Sequence, residues 1–273
     1  MLTLKGLRNY NRYQAALGHL SLSLIVFAIL GYLVYFCWYP QPLFAIDAGW
    51  QGLRIIAFVD FVLGPFITLF IFNPKKKELF KDLAIIALIQ ISALSYGTYH
   101  VYQSRPAIVV YADQTYYTMA YSELEHFPLS EQLLNEIPLN APLYKLFDLP
   151  RENTSIEYAV ETDDFSIQDK IRDLRFESVG TETPFYLLES HHKDYEANVS
   201  TINKYTLNLE AIQSALDGEN LQILKQWLER NPDFDNYTYA VLVGRYGSVI
   251  VQVDSKTGSF TDFIPVDYSI AYM

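Results

Sequence analysis

Three long stretches of the sequence carry almost no charge, and they constrain the fold more than any other feature. Residues 17–39 and 83–101 contain no Asp, Glu, Lys or Arg, and residues 55–72 contain only Asp60. With a rise of 1.5 Å per residue, each stretch forms a helix close to the ~30 Å thickness of the bilayer's hydrocarbon core. The sequence therefore predicts three transmembrane helices in its N-terminal part.

The first stretch also resembles a signal peptide, because Lys5, Arg8 and Arg12 precede it. However, it is longer than the usual apolar core of about 7–15 residues, and no A-x-A cleavage pattern follows it. We therefore expect this helix to be retained in the mature protein.

Charge divides the chain into two unlike parts near residue 102. Residues 1–102 contain 8 Lys and Arg against 4 Asp and Glu, whereas residues 103–273 contain 12 against 27. We predict a membrane domain over 1–102 and an exported domain over 103–273. The net charge of -11 argues against a nucleic-acid partner, which requires a basic face. The single cysteine, Cys37, excludes an intrachain disulfide and a cysteine-based zinc cluster.

The basic residues predict the orientation in the membrane. Residues 1–16 and residues 73–82, which include Lys75, Lys76 and Lys77, lie on the same side if the chain crosses three times. Short segments rich in Lys and Arg remain in the cytoplasm, so both segments are expected there and the C-terminal domain outside. Trp38 and Tyr39 end the first helix, where aromatic side chains suit the lipid headgroup layer.

The fold class predicted is a membrane protein with three N-terminal transmembrane α-helices, followed by an α+β (α/β) domain that ends in an antiparallel β-meander. Apolar and β-branched runs predict strands at 106–111 and 115–120. Helical spacing of apolar residues predicts a helix at 166–176 and a pair of helices at 209–216 and 221–228. Glycine-containing turns separate the three predicted meander strands, 237–243, 248–254 and 260–266.

Asp60 is the most informative single residue. A carboxylate inside a span costs roughly 2.5–3.5 kcal/mol on insertion scales and needs a partner. Asp60, Gly64 and Thr68 recur every four residues and form one polar, small-residue stripe that favours close approach of another helix. Pro65 lacks a backbone N–H, so a kink is expected beside the stripe, and Pro65 joins the stripe as a candidate partner-binding position.

Counting depth from Ile55 places Asp60 about five residues below the outer surface. The levels that match on the other spans are near Ser95, Tyr96 and Tyr99 in the third and near Tyr32 and Tyr35 in the first, while His19 is too far away. Two interpretations follow: an internal hydrogen bond that holds the bundle, or contact with a membrane helix of another protein. Proton transport is disfavoured, because no second acidic residue lies in any span.

No motif in the sequence predicts catalysis. The pair His191–His192 lacks the His-x-x-x-His spacing of a metal site, and no nucleophile elbow or phosphate-binding loop is present. We therefore expect no enzyme activity, metal, cofactor or small-molecule substrate.

Several segments resemble the type IV pilin accessory proteins of the TfpX/TfpZ kind, found in Gram-negative bacteria. The resemblance rests on residues 58–65 (FVDFVLGP), 72–76 (FNPKK), 104–106 (SRP), 243–245 (VGR) and 253–258 (VDSKTG). It extends over nearly the full length and is weakest between residues 122 and 236.

The resemblance implies a chaperone-like accessory factor in the bacterial inner membrane, with residues 103–273 in the periplasm and the type IV pilin subunit as its partner. It suggests that the Asp60 stripe docks the hydrophobic helix of pilin while the exported domain holds the pilin head. A pilin-modifying transferase and a membrane sensor of periplasmic signals remain the alternatives.

Overall fold

The computed structural model describes residues 10–112, 115–124, 135–140, 142–147, 192–194, 199–203 and 206–268. The helix predicted at 166–176 and His191 lie outside these ranges. Three of the described helices are long and apolar enough to cross a membrane: Arg12–Trp38 (span 1), Gly49–Ile71 (span 2) and Leu79–Gln103 (span 3). The three predicted transmembrane helices are thus present.

Each span is longer than its apolar run, because helical hydrogen bonding continues into the polar flanks. Span 1 begins one turn early, where the Asn11 side chain accepts from the Gln14 backbone N–H and the Gln14 side chain accepts from that of Asn11. This reciprocal capping satisfies N–H groups that the first turn leaves free. Span 2 begins at Gly49 and includes Arg54, so it extends six residues before the apolar run at Ile55.

Two spans change their helical pitch. Span 1 is α-helical over Arg12–Tyr32 and π-helical over Leu33–Trp38. Span 2 is α-helical over Gly49–Ala57, π-helical over Phe58–Leu63 and α-helical again over Gly64–Ile71. The π-helical segment of span 2 ends two residues before Pro65, the position at which the sequence predicts a kink. Span 3 is α-helical throughout.

A seven-stranded mixed sheet follows the spans, with strand order β4-β3-β1-β2-β5-β6-β7. The strands are β1 Pro106–Ala112, β2 Thr115–Ala120, β3 Leu143–Phe147, β4 His192–Asp194, β5 Thr238–Gly244, β6 Gly247–Val253 and β7 Phe260–Ile264. Strands β5, β6 and β7 form the predicted antiparallel meander. The β1–β3 and β2–β5 pairs are parallel, so the sheet as a whole is mixed.

Short helices surround the sheet and connect the spans to it. They are Leu43–Ile46, Tyr121–Leu124, Val199–Ile202, Leu209–Ala215 and Gly218–Arg230, with a 3₁₀ turn at Phe234–Asn236. The helices Leu209–Ala215 and Gly218–Arg230 correspond to the predicted helical pair. Gly218 opens the second of them with a positive φ of 41°, a backbone conformation that favours glycine.

Each face of the sheet carries its own core, because successive strand residues point to opposite faces. On β6, Val249, Val251 and Val253 pack in one cluster, whereas Ile250 belongs to the other. The cluster containing the three valines also includes Leu43 and Ile46, from the connection between spans 1 and 2. That connection is therefore part of the sheet's core. The Ile250 cluster contains Ile212, Leu224 and Trp227 of the helical pair.

Candidate functional site: the polar centre of the spans and the joint above it

The predicted polar stripe of span 2 faces the interior of the helix bundle. Asp60 is 2% exposed and Thr68 is 3% exposed, and Gly64 between them is also buried. Asp60 lies in the π-helical segment, and Gly64 and Thr68 lie in the α-helix that follows. The internal hydrogen bond considered for Asp60 is present, and its partner comes from span 3.

The amide Nε2 of Gln90 donates to Asp60 Oδ1 at 3.2 Å. The expectation that Asp60 meets Ser95, Tyr96 or Tyr99 is therefore wrong, as is its placement near the outer surface. The error arises because depth was counted from Ile55, whereas span 2 begins at Gly49. Asp60 is the twelfth of 23 residues in span 2 and Gln90 the twelfth of 25 in span 3, so both lie at mid-depth.

Gly64 makes room for the same amide. A Cβ atom at Gly64 would lie 2.4 Å from both Nε2 and Oε1 of Gln90. Any other residue would require the glutamine side chain to move. Gly64 therefore accommodates a side chain from span 3 of the same protein.

Thr68 links the stripe to span 1. The Thr68 hydroxyl donates to the Gly64 carbonyl at 3.0 Å, and His19 Nδ1 lies 2.6 Å from the Thr68 hydroxyl oxygen. The His19 ring and the Thr68 hydroxyl therefore form a hydrogen bond between spans 1 and 2. His19 lies too far from the level of Asp60 to face it. It contacts the polar stripe of span 2 at the opposite end, at Thr68.

A partly open groove of about 550 Å³ runs between spans 1 and 3, above this polar layer. One wall consists of residues between Tyr10 and Val26, on the side of span 1, and the other of residues between Leu83 and Leu94 of span 3. Asp60 and Thr68 of span 2 contribute to its floor. Two buried oxygens at this level, Asp60 Oδ2 and Gln90 Oε1, have no hydrogen-bond partner among the described residues. The groove is therefore largely apolar, with unpaired acceptors just beneath its surface.

A second polar centre connects the spans to the sheet. We call it the joint: residues 46–47, between spans 1 and 2, and residues 244–246, the turn between β5 and β6. Arg245 Nε donates to Asp47 Oδ1 at 2.6 Å, and its Nη2 donates to the carbonyl oxygens of Asp47 (3.1 Å) and Ser104. Asp47 is completely buried and the Arg245 side chain is 25% exposed.

Backbone contacts tighten the joint. The Tyr246 N–H donates to the Ile46 carbonyl at 2.8 Å. A Cβ atom at Gly244 would lie 2.6 Å from that same carbonyl oxygen, so only glycine permits this approach. Burial, the largest single influence, lowers the pKa of Arg245, but the Asp47 carboxylate together with Tyr39 and Glu123 raises that pKa above its usual value. Arg245 therefore remains a cation in this buried position.

The end of span 3 is fixed beside the joint. Tyr39 is 1% exposed and its hydroxyl donates to the Val101 carbonyl at 2.8 Å, so this ring packs inside the protein rather than in the headgroup layer. Trp38 packs edge-on against Tyr102. Arg105 lies over the rings of Tyr102 and Tyr121, with its guanidinium carbon 3.8 and 4.3 Å from their centroids.

The basic loop between spans 2 and 3 is held by ion pairs at its edges. Lys76 contacts Asp82 at 2.6 Å, and Lys81 contacts Glu78 at 2.7 Å. The Lys75 N–H is bound by the Asn73 side chain. These are exposed pairs of small energetic value, so the loop's main physical property is its concentration of positive charge.

Sequence reasoning missed Gln90, Asp47 and Arg245 as functional or structural centres. Gln90 was a visible polar residue within an apolar run, and its central position was the available signal. Asp47 and Arg245 are 198 residues apart, so no local pattern joins them.

Comparison with known proteins identifies the family. The family model described as fimbrial assembly protein FimB matches residues 8–47. The fimbrial assembly protein of serogroups C1 and C2 of Dichelobacter nodosus is 40% identical over 95 residues, which are 34% of this chain and 72% of that protein. The fimbrial assembly protein of serogroup I of the same organism is 34% identical over 131 residues, 47% of this chain and 48% of that protein.

The chain therefore spans about half the length of the serogroup I relative, and the same holds for the serogroup E1 relative, which is 32% identical over 131 residues and matched over 48% of its length. No solved structure matches the chain significantly. With 72% of the serogroup C1 and C2 protein covered at 40% identity, the chain belongs to the fimbrial assembly protein family, which confirms the resemblance to type IV pilin accessory proteins.

Proposed function

We propose that this chain is a non-enzymatic accessory factor of the bacterial inner membrane that stabilises the type IV pilin subunit or assists its assembly into the pilus. The observation that carries the proposal is the combination of a fimbrial assembly family with three apolar spans that pack around a polar centre. A pilin subunit is held in the inner membrane by a hydrophobic helix, so a helper with spans of its own meets it there.

The joint supports a division of labour between the two parts of the chain. Because the buried Asp47–Arg245 pair and the Ile46 contacts tie the spans to the sheet, the two parts hold a defined mutual position. A client with a membrane helix and an outer head then contacts both parts at once, and two tethered weak contacts reinforce each other through effective concentration.

The proposed orientation places the loop with Lys75, Lys76 and Lys77 in the cytoplasm and the sheet in the periplasm. It rests on the tendency of basic short loops to remain inside. Since span 2 runs toward this loop and span 3 away from it, the joint then lies at the periplasmic end of the bundle. The surface that meets the pilin head is accordingly on the periplasmic side.

The test is deletion of the gene, followed by measurement of pilin abundance, surface pili and the mass of intact pilin. The proposal predicts fewer pili or less pilin with unchanged pilin mass, restored by the wild-type gene. Loss of a mass increment from pilin would instead establish a modifying enzyme. Unchanged pilin and pili in the deletion strain would refute the role in assembly.

A further inference from the structure

The groove between spans 1 and 3 has the position and shape of a helix-binding site. Both spans pack on span 2, so span 2 forms the floor between them. The helical part of the wall, from Gln14 to Val26, rises about 18 Å at 1.5 Å per residue, enough to accompany roughly three turns of a helix. A volume of about 550 Å³ accommodates the side-chain ridge of a helix packed against the groove rather than the whole helix.

The floor of the groove specifies the chemistry of the occupant. Asp60 Oδ2 and Gln90 Oε1 are acceptors without partners among the described residues, and both lie at mid-depth of their spans. An unpaired buried carboxylate oxygen is costly in hydrocarbon. A lipid acyl chain has no hydrogen-bond donor and would leave Asp60 Oδ2 unpaired. A hydroxyl, amide or amino group on a helix can donate a hydrogen bond to it.

We propose that this groove binds one transmembrane helix that brings a hydrogen-bond donor to Asp60 at mid-bilayer depth. The inference rests on the proposed function in one respect: the helix is that of pilin. It also revises how the stripe takes part. The Gln90 side chain fills the space beside Gly64, and His19 is hydrogen-bonded to Thr68. The client therefore meets Asp60 from the groove side and does not pack against Gly64.

Access to Asp60 requires movement of one side chain. Asp60 Oδ2 is buried beneath the groove surface. The bond from Gln90 is long, at 3.2 Å, and Gln90 itself reaches the groove wall. Gln90 therefore turns aside when the helix enters, and the donor of that helix binds the unpaired Oδ2 of Asp60.

Photocrosslinking in intact cells locates the occupant. Leu22 and Ile91 line the groove, and they are 61% and 63% exposed. Leu24 and Ile89 are matched controls: the same residue types, two positions away on the same helices, 52% and 56% exposed and outside the groove lining. Two residues turn a helix by about 200°, so the controls face other directions. A photoreactive residue at Leu22 and Ile91 should yield pilin adducts at least fivefold above those at the controls.

Two leucine substitutions separate docking from bundle stability. Asp60→Leu and Gln90→Leu each remove one partner of the same internal bond, but only Asp60→Leu removes the acceptor for the client. Docking predicts that Asp60→Leu lowers pilin crosslinking roughly 3- to 20-fold, the range of single hydrogen bonds within membranes. Gln90→Leu keeps the Asp60 acceptor, so it should lower pilin crosslinking clearly less than Asp60→Leu does. Equal losses in both, at equal protein levels, would show a purely internal role and overturn the proposal.

A steric variant tests the groove without touching its polar floor. Gly18 lines the groove, and a Cβ atom added to it would meet nothing within 4 Å. Gly18→Leu should therefore abolish pilin capture while the chain folds normally. Ala28→Leu adds the same side chain at an exposed position of span 1 that does not line the groove, and it should have no effect.

The outcomes distinguish this inference from the proposed function. If gene deletion lowers pilin or pili but no groove position captures pilin, the groove assignment is wrong and the function stands. Adducts only with lipid, only with a second copy of this chain or only with another protein would also overturn it. If deletion changes neither pilin nor pili and no pilin adduct forms, both fail.

Discussion

The joint makes a quantitative prediction about Arg245. Replacing it with methionine keeps most of the side chain's length but removes its charge and its donors. The change leaves the Asp47 carboxylate completely buried. Among the described residues, only the Arg245 backbone N–H, at 3.2 Å, is then still directed at it. The Ser104 and Asp47 carbonyl oxygens also lose a donor.

Breaking a buried ion pair from one side costs about 3–5 kcal/mol, because the remaining charge is uncompensated. We expect the lower half of that range for Arg245→Met, since the Arg245 side chain is 25% exposed and water enters where it was. Asp47→Asn should cost less, about 1–3 kcal/mol, because the unpaired Arg245 retains part of its solvation. In the double variant Asp47→Leu with Arg245→Met, the loss should be smaller than the sum of the losses measured for Asp47→Leu alone and Arg245→Met alone, as expected for residues in direct contact.

The assay is thermal or denaturant unfolding of the purified protein in detergent. A loss of about 3 kcal/mol corresponds to a fall in Tm of roughly 6–12 °C for a domain of this size. Arg230→Met is the matched control: Arg230 is exposed, and within the described part of the chain it makes one hydrogen bond, to the Gln226 carbonyl. This change should remain within about 0.5 kcal/mol of the wild type. A cost below about 1 kcal/mol for Arg245→Met, or strict additivity in the double variant, would refute the role assigned to the joint.

Three further predictions concern the turn, alkaline pH and topology. Gly244→Ala should destabilise the protein by about 1–3 kcal/mol in the same unfolding assay, because the new Cβ atom would lie 2.6 Å from the Ile46 carbonyl oxygen. Gly247→Ala is the control and should be nearly neutral, because its Cβ atom would lie 3.9 Å from the nearest atom. Burial raises the pKa of Tyr239 to about 12, whereas the pKa of a tyrosine in the unfolded chain is about 10. The neutral Tyr239 hydroxyl therefore contributes its full stability below about pH 10. This contribution is lost as the pH rises through about 12. Tyr239→Phe should remove that part of the alkaline loss in a pH series of Tm, and an unchanged pH profile would contradict it. A periplasm-specific reporter fused after Met273 should be active, whereas activity only of a cytosolic reporter would reverse the proposed orientation.

The elements that the sequence predicted well are those with a local signal. Three charge-poor runs located the spans, and alternation broken by glycine turns located β5, β6 and β7. The ends of the spans were less accurate, because hydrogen bonding continues through residues such as Arg54 that are not apolar. That error of six residues displaced Asp60 from the middle of span 2 and led to the wrong partners.

The remaining features depend on contacts between distant parts of the chain. The parallel pairing of β2 with β5 joins Thr115 to Val241, and no periodicity in either segment encodes that choice. The Asp47–Arg245 pair likewise forms only once the β5–β6 turn docks on the connection between spans 1 and 2. Glycine offered a partial signal: Gly244 and Gly64 both lie where another group approaches closely, but sequence alone does not reveal which group.

The most direct test of the account is recovery of the intact protein from detergent-solubilised membranes, with pilin measured in the eluate. Pilin should copurify with the wild-type chain and with Ala28→Leu, and it should be strongly reduced with Gly18→Leu at equal recovery of the chain. Absence of pilin from the wild-type eluate, when a crosslinker applied to intact cells also fails to retain it, would contradict the claim that this protein acts on the pilin subunit.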